Sequence, residues 1–110
     1  MRRKIFDDNG VILFMTRTKS HPSDVCDGLI IGVDMNRGRE PRKIAELADA
    51  LNCVVGINVD SIDLEGCFIL GFVEGLSDDE LAELISREAA KVFWLDNPRM
   101  CYYLGNSVTL

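Results

Sequence analysis

A run of cations beside a predicted helix start is the feature of the sequence with the clearest potential for chemistry. Arg37, Arg39, Arg42 and Lys43 lie in the segment N-R-G-R-E-P-R-K, between a predicted strand and a predicted helix. Free backbone amides and the helix dipole favour an anion at such a terminus, and nearby cations strengthen the attraction. The segment matches neither G-x-x-x-x-G-K-[ST] nor G-x-G-x-x-G. The two interpretations are therefore a simple anion site and, more commonly, surface ion pairs with neighbouring acids.

Groupings typical of catalysis or metal binding are missing from the sequence. His21 is the single histidine, and it precedes Pro22 in a polar stretch without an evident partner to orient a general base. The acidic residues from Asp60 to Glu65 do not follow the calcium-loop pattern D-x-D-x-D-G. The sequence therefore predicts no catalytic residue, no metal site and no cofactor.

The four cysteines are too widely spaced for a redox or zinc motif. Cys26, Cys53, Cys67 and Cys101 contain no C-x-x-C pair. Cys53 and Cys67 each begin an apolar run, where a free thiol packs as a small hydrophobic side chain. We expect buried, reduced thiols, with zinc held by four converging thiolates as the less favoured alternative.

The charge balance points to a protein partner rather than to a nucleic acid. The chain has 12 Lys and Arg against 18 Asp and Glu, a formal net charge of -6, whereas binding to a phosphate backbone needs a basic surface. Carboxylates concentrate in two groups, the first containing Asp60, Asp63 and Glu65 and the second Asp78 and Asp79. Such acids would complement the basic groove of a nucleic-acid enzyme. Their ordinary role as solvated surface is the alternative.

Aromatic side chains near the end of the sequence form a second candidate contact for a partner. Trp94, Tyr102 and Tyr103 lie close to Arg99 in sequence, and aromatic and arginine side chains dominate the energetics of many interfaces. Trp94 and Tyr102 are therefore predicted partner contacts. An ordinary amphipathic strand around Trp94 explains the same pattern, and stacking on single-stranded nucleic acid is disfavoured by the acidic balance.

Turn and capping signals divide the chain into short elements. An Asn-Gly pair at 9–10 predicts a hairpin between strands 4–6 and 11–14. Pro41 suits the first position of a helix whose apolar face continues to Leu51, and Ser77 with Glu80 has the spacing of a capping box that begins a second helix. The remaining predicted elements are strands at 29–35, 53–59, 67–73 and 91–95 and a final hairpin over 100–110.

The order of these elements predicts a mixed α+β fold. From residue 29 to 96 it is strand, helix, strand, strand, helix, strand, which is the split βαβ arrangement of ferredoxin-like folds. That βαββαβ core has an antiparallel sheet with both helices on one face, here extended by an N-terminal and a C-terminal β-hairpin. Residues 1–110 make a single domain of ordinary size. The fold hosts many activities and by itself implies none of them.

Glycines in the middle of three predicted strands suggest an unusual sheet face. Alternation groups Gly32, Gly56 and Gly71 with the less bulky set of each strand, so we expect all three on the face away from the helices. Asp34 and Asn58 would then lie near the ends of this glycine-lined face. The face either binds a small ligand or, as the favoured interpretation, is covered by the terminal hairpins or a second subunit.

These observations favour a small acidic, non-catalytic binding protein that acts through protein–protein contact, as an inhibitor or adaptor of a nucleic-acid-handling enzyme. We expect it to be cytoplasmic, because no apolar run approaches the ~20 residues of a membrane span and no signal peptide is evident. A homodimer through the sheet is expected, and direct sequence-specific binding of nucleic acid is not. The alternative is a regulatory or sequestering module that binds an anionic ligand or nucleotide at the Arg37–Lys43 loop or on the glycine-lined face.

Overall fold

Five strands and two helices make up the computed structural model, which describes residues 2–8, 10–18, 26–35 and 40–94. In chain order they are β1 (Arg2–Asp8), β2 (Val11–Thr18), β3 (Asp27–Met35), α1 (Pro41–Asn52), β4 (Ile57–Asp63), β5 (Phe68–Val73) and α2 (Asp78–Trp94). The strands form one antiparallel sheet in the order β1-β2-β3-β5-β4. The architecture is therefore mixed α+β, as the sequence predicts.

The core lies between one face of the sheet and the two helices. Helix α1 buries side chains at helical spacing, namely Ile44, Leu47, Ala48 and Leu51. The strands bury alternate apolar side chains from all parts of the sheet, including Phe6, Val11, Leu13, Met15, Leu29, Ile31, Val33, Ile57, Ile69 and Val73. Helix α2 closes this layer along β1 and β2, where the rings of Phe6 and Phe93 lie 6.3 Å apart. Both helices consequently cover the same face.

Local signals in the sequence correctly predict several of these elements. The N-terminal hairpin is formed by β1 and β2, and Gly10 in its turn has a φ of 78°, which favours glycine. Helix α1 begins with Pro41 in its first turn, where a missing N–H costs nothing. Helix α2 begins directly after Ser77. These predictions are confirmed. Each could be made from the sequence because it depends on residues that lie only a few positions apart.

The ferredoxin-like order is not matched, because the predicted strand at 91–95 is wrong. Residues 91–94 are the last turn of α2, and Val92 and Phe93 are buried in the core at helical spacing from Ile85 and Ala89. In a βαββαβ fold the last strand pairs beside the first one, but that edge of β3 is occupied by β2. The predicted hairpin over 100–110 lies outside the described residues.

The predicted strand at 53–59 is displaced towards the C-terminus. The N–H groups of Cys53 and Val54 donate to the carbonyl oxygens of Ala50 and Leu51, so these residues complete the end of α1. Gly56 then turns the chain with a φ of 97°, and β4 continues into the acidic stretch beyond the end of the predicted strand. Cys53 is accordingly exposed rather than buried, while Cys26 and Cys67 are half-buried free thiols. Cys101 lies outside the described residues.

Arg17 links the sheet to the beginning of α2. Its guanidinium donates to Asp27 Oδ2 at 2.7 Å, to the carbonyl oxygen of Leu76 at 2.6 Å and to Asp78 Oδ1 at 3.2 Å. The side chain is only 16% exposed, so these acceptors replace most of its hydration. The hydrogen bond to Asp27 raises the pKa of Arg17 above its ordinary value, and the cation stays charged.

We expect Arg17→Ala to lower the free energy of unfolding by about 2 kcal/mol, because it leaves partly buried acceptors without their charged donor. Urea denaturation followed by circular dichroism measures this change. Arg87→Ala is the matched control: Arg87 pairs with Glu83 on exposed α2 surface, and its loss should cost less than about 0.5 kcal/mol. Equal effects of the two substitutions would contradict the linking role of Arg17.

Both reciprocal hydrogen bonds of the capping box at the start of α2 are present. The Ser77 backbone N–H donates to Glu80 Oε1 at 3.0 Å, and the Glu80 backbone N–H donates to Ser77 Oγ at 3.2 Å. The first of these bonds, together with the Ser77 side chain, lowers the pKa of Glu80 below its ordinary value. Glu80 therefore stabilises the fold fully above pH 4.5, its ordinary pKa, and this stabilisation is lost as the pH falls through the folded-state value.

Replacing Glu80 by Gln should therefore reduce the acid sensitivity of folding. The difference in thermal midpoint between wild type and Glu80→Gln is expected to be largest near neutral pH and to shrink as the pH falls below 4.5. Thermal melts at about pH 7 and about pH 3 measure it. Ser77→Ala tests the reciprocal bond and should cost about 1 kcal/mol at neutral pH. A pH-independent difference would show that Glu80 does not contribute through its charge.

Candidate functional site: the open face of the sheet

The face of the sheet opposite the helices is the candidate functional site, and we call it the open face. Within the described residues, no helix or strand packs against it. Its apolar side chains come from the three middle strands and are Ile12, Phe14, Ile30, Phe68, Leu70 and Phe72. Phe68 and Phe72 are 41% and 43% exposed. A solvated antiparallel face usually carries polar residues, so this one is unusually apolar.

A shallow depression lies at the middle of the open face, where β3 has a glycine. Gly32 is paired with Phe14 on one side and with Phe68 on the other, and the absent side chain leaves a gap between the two rings. The depression has a volume of about 190 Å³ and is also lined by Arg2, Thr16 and Ile30. The rings of Phe14 and Phe68 therefore form the two walls of a hollow.

Most charges on the open face lie at its two edges, and Asp34 lies between them at one end of β3. Strand β1 carries Lys4, which pairs with Asp7 at 3.1 Å, and Arg2, whose guanidinium carbon lies 3.8 Å from the centre of the Phe14 ring. Strand β4, at the other edge, carries Asp63. One row of paired residues crosses the whole sheet and connects these edges through Lys4, Phe14, Gly32, Phe68 and Asp63. The row is cationic at one end, apolar in the middle and acidic at the other end.

Both edge strands are irregular. The register of β1 against β2 shifts between Lys4 and Phe6, and that of β4 against β5 shifts between Val59 and Ser61. Bulges and charged residues on edge strands hinder the addition of another strand. Association through a sheet edge is therefore disfavoured, and the open face is the larger uncommitted apolar surface of the described part of the chain.

The expectation that three glycines line the open face is wrong for two of them. Gly71 lies on the face that carries the helices, because it pairs with Leu29 while Ile69 pairs with Ile31 in the core. Gly56 lies outside the strands, in the turn between α1 and β4. Both residue sets of β5 are apolar, so alternation gives no signal for which one faces the helices. Only the pairing with β3 decides it, and it places the phenylalanines outward.

Those sequence-predicted ligand residues that the structure describes are not gathered in one place. Asp34 and Asn58 lie at opposite ends of the open face: Asn58 is level with Gly28, six residues along β3 from Asp34, or about 20 Å. Lys43 is 14% exposed and donates to the carbonyl oxygen of Val92 at 3.1 Å, which ties α1 to the end of α2. Arg42 is exposed in the first turn of α1.

The remaining two loop cations, Arg37 and Arg39, lie outside the described residues. The predicted anion site therefore rests mainly on residues that the structure does not describe, and it stays a prediction.

The two groups of acids are also separate. Asp60, Asp63 and Glu65 are exposed on β4 and in the turn that follows it. Asp78 and Asp79 lie at the start of α2, where they pair with Arg17 at 3.2 Å and with Arg3 at 3.0 Å. Trp94 is the last residue of α2, and Tyr102 lies outside the described residues.

Comparisons with known protein families, with curated proteins and with solved structures found no match to this chain. Across the described ranges, no three His, Cys, Asp or Glu residues converge as a metal site requires. Neither described helix is long and apolar enough to cross a membrane. Fold and site thus define an α+β domain whose antiparallel sheet is covered by helices on one face and presents an apolar surface on the other.

Gly32 and Gly71, which lie on opposite faces of the sheet, should respond differently to substitution. A Cβ at Gly71 would overlap the carbonyl oxygen of Asn58 and lie 3.1 Å from the Cα of Val59, both of them backbone atoms. We expect Gly71→Ala to destabilise the fold by about 2 kcal/mol or more. A Cβ at Gly32 meets only the Phe68 ring, at 3.4 Å, so Gly32→Ala should change stability by less than about 1 kcal/mol. Urea unfolding of both variants checks the difference, and equal losses would contradict the assignment of the two faces.

Proposed function

We propose that this chain is a non-catalytic binding protein that acts through protein–protein contact, with the open face of its sheet as the contact surface. The observation that carries the proposal is the apolar character of that face, where Phe68 and Phe72 are each about two-fifths exposed. Burial of apolar surface releases roughly 25 cal/mol per Å², and exposed apolar patches mark interaction sites. A partner that covers this face would gain that energy without any rearrangement of the core.

The shape of the face supports a macromolecular partner over a small molecule. The depression at Gly32 has a volume of about 190 Å³, and a second one between Cys26, Asn58 and Phe72 has about 250 Å³. Typical small-molecule sites are clefts of ~300–1,000 Å³ that bury most of the ligand. Two shallow hollows on a broad sheet are better suited to the side chains of another protein.

Inhibition or adaptation of a nucleic-acid-handling enzyme is the finer form of this proposal. The exposed acids Asp60, Asp63 and Glu65 border the open face on the β4 side, where they would meet basic residues of such an enzyme. Asp78 and Asp79 support it less, because each already pairs with an arginine of this chain. The module for an anionic ligand or nucleotide remains a hypothesis that depends on Arg37 and Arg39.

A photo-crosslinking amino acid placed on the open face tests the proposed contact surface. Benzoylphenylalanine in place of Phe72 keeps an aromatic side chain at a position that is 43% exposed. Irradiation in cells should give covalent adducts between the open face and another polypeptide, identified by mass spectrometry. We expect these adducts because a protein-covered aromatic lies within reach of its partner's C–H bonds.

The matched control carries the same probe at Val55, which is 91% exposed in the turn after α1 and does not belong to the open face. Adducts from position 72 that are absent from position 55 support the proposal. Equal labelling from both positions, or none from position 72, would refute the open face as a contact surface.

A further inference from the structure

We infer that the partner of the open face is a second copy of this chain, packed face to face with the strands of the two sheets aligned. The inference rests on the proposed function, since it names the partner of that surface. It is argued from the pattern of charge across the sheet, from the hollow at Gly32 and from the size of the face.

The row that crosses the sheet is complementary to itself. In the described residues it begins with Lys4 at the β1 edge and ends with Asp63 at the β4 edge, four strand spacings or about 19 Å away. Consider a two-fold axis that lies in the interface and runs parallel to β3. It keeps each residue at the same level along the strand direction, and it places the β1 edge of one copy over the β4 edge of the other. Lys4 of each copy then lies over Asp63 of the other.

The other simple two-fold arrangement is unfavourable. An axis perpendicular to the strands at the level of Gly32 would place Lys4 over Lys4 and Asp63 over Asp63 of the two copies, so like charges would meet at both edges. Arg2 adds to this repulsion because it is also on the open side of β1, stacked over Phe14. The row through Gly32 therefore favours the aligned arrangement, which is also a common packing of two antiparallel sheets, and the same axis brings Asp34 of the two copies together at one end of β3.

The centre of the open face fits the same arrangement. The axis along β3 places Gly32 of one copy over Gly32 of the other, so the two hollows of about 190 Å³ combine. Phe14 of each copy then lies opposite Phe68 of the second copy, because these residues flank Gly32 on either side. Offset aromatic pairs are favourable at an interface, and the glycines leave room for the rings to interdigitate.

The size of the face indicates a weak dimer. Four strand spacings by six residues give about 19 by 20 Å, or roughly 400 Å² of flat area on each copy. The total of about 800 Å² is below the ~1,200 Å² of standard specific interfaces, although side-chain relief adds to it. Dissociation constants in the micromolar range are therefore expected.

Sedimentation velocity of the full chain between about 1 µM and about 500 µM tests the inference. Wild type should shift from monomer to dimer across this range. Phe68→Ser removes a central aromatic and should weaken the dimer at least about tenfold. Val55→Ser, a matched loss of an exposed apolar side chain off the open face, should leave the dissociation constant unchanged. If Phe68→Ser lowers the thermal midpoint, Phe72→Ser provides the same test.

Charge reversal tests the orientation. Lys4→Glu and Asp63→Lys should each weaken the dimer by about 3- to 10-fold, because like charges then meet twice in every dimer. The double variant with both changes should recover the wild-type constant, since every contact is again between opposite charges. The arrangement with β1 over β1 keeps like charges together in every variant and predicts that neither single variant weakens the dimer. Single variants without effect, or a double variant that does not recover, therefore overturn the proposed orientation.

The remaining outcomes separate this inference from the proposed function. The chain could stay monomeric throughout and yet give adducts from position 72 with an unrelated protein. This result would show that the partner is not a second copy, and the proposed function would stand. Adducts only with residues 19–25 or 95–110 of the same polypeptide refute both. A dimer that Phe68→Ser and Phe72→Ser do not weaken uses another surface and also overturns the inference.

Discussion

The position of β3 between β2 and β5 is the constraint on which the rest of the structure depends. Its pairing places Ile31 beside Met15 on one side and beside Ile69 on the other, so one continuous apolar layer forms beneath the helices. A register shift of one residue would move each of these side chains to the opposite face. The same pairing necessarily turns Phe68 and Phe72 outward. Core formation and an exposed apolar face are thus two results of one register.

The two faces of the sheet differ in how their apolar surface is used. On the covered face, α1 and α2 bury whole side chains. Arg17 of β2 donates to the carbonyl oxygen of Leu76, just before α2, and Lys43 of α1 donates to that of Val92 in α2. On the open face, phenylalanines flank a glycine, with cations along one edge and a carboxylate at the other. The bulges in β1 and β4 direct association away from the edges. The open face is thus an apolar surface with charged residues at its borders.

Local signals predicted those elements in which neighbouring residues decide the outcome. The Asn-Gly turn, Pro41 at the start of α1 and the capping box of Ser77 with Glu80 each act within a few residues. The end of α2 was predicted wrongly, because a short apolar run around Phe93 satisfies strand and helix patterns equally well. Competition for the edge of β3 settles that ambiguity, and it depends on β2, more than 70 residues earlier in the chain.

By itself the sequence determined the α+β class, the N-terminal hairpin, both helix starts and the apolar face of α1. These features follow from backbone preferences and from the periodicity of apolar residues. Only the tertiary structure decided which apolar set of β5 faces the helices, since both sets are hydrophobic and alternation cannot distinguish them. Of Gly32, Gly56 and Gly71, it placed only Gly32 on the open face, and it separated Asp34 from Asn58. These features arise from pairing between distant strands, a property that no local stretch of sequence contains.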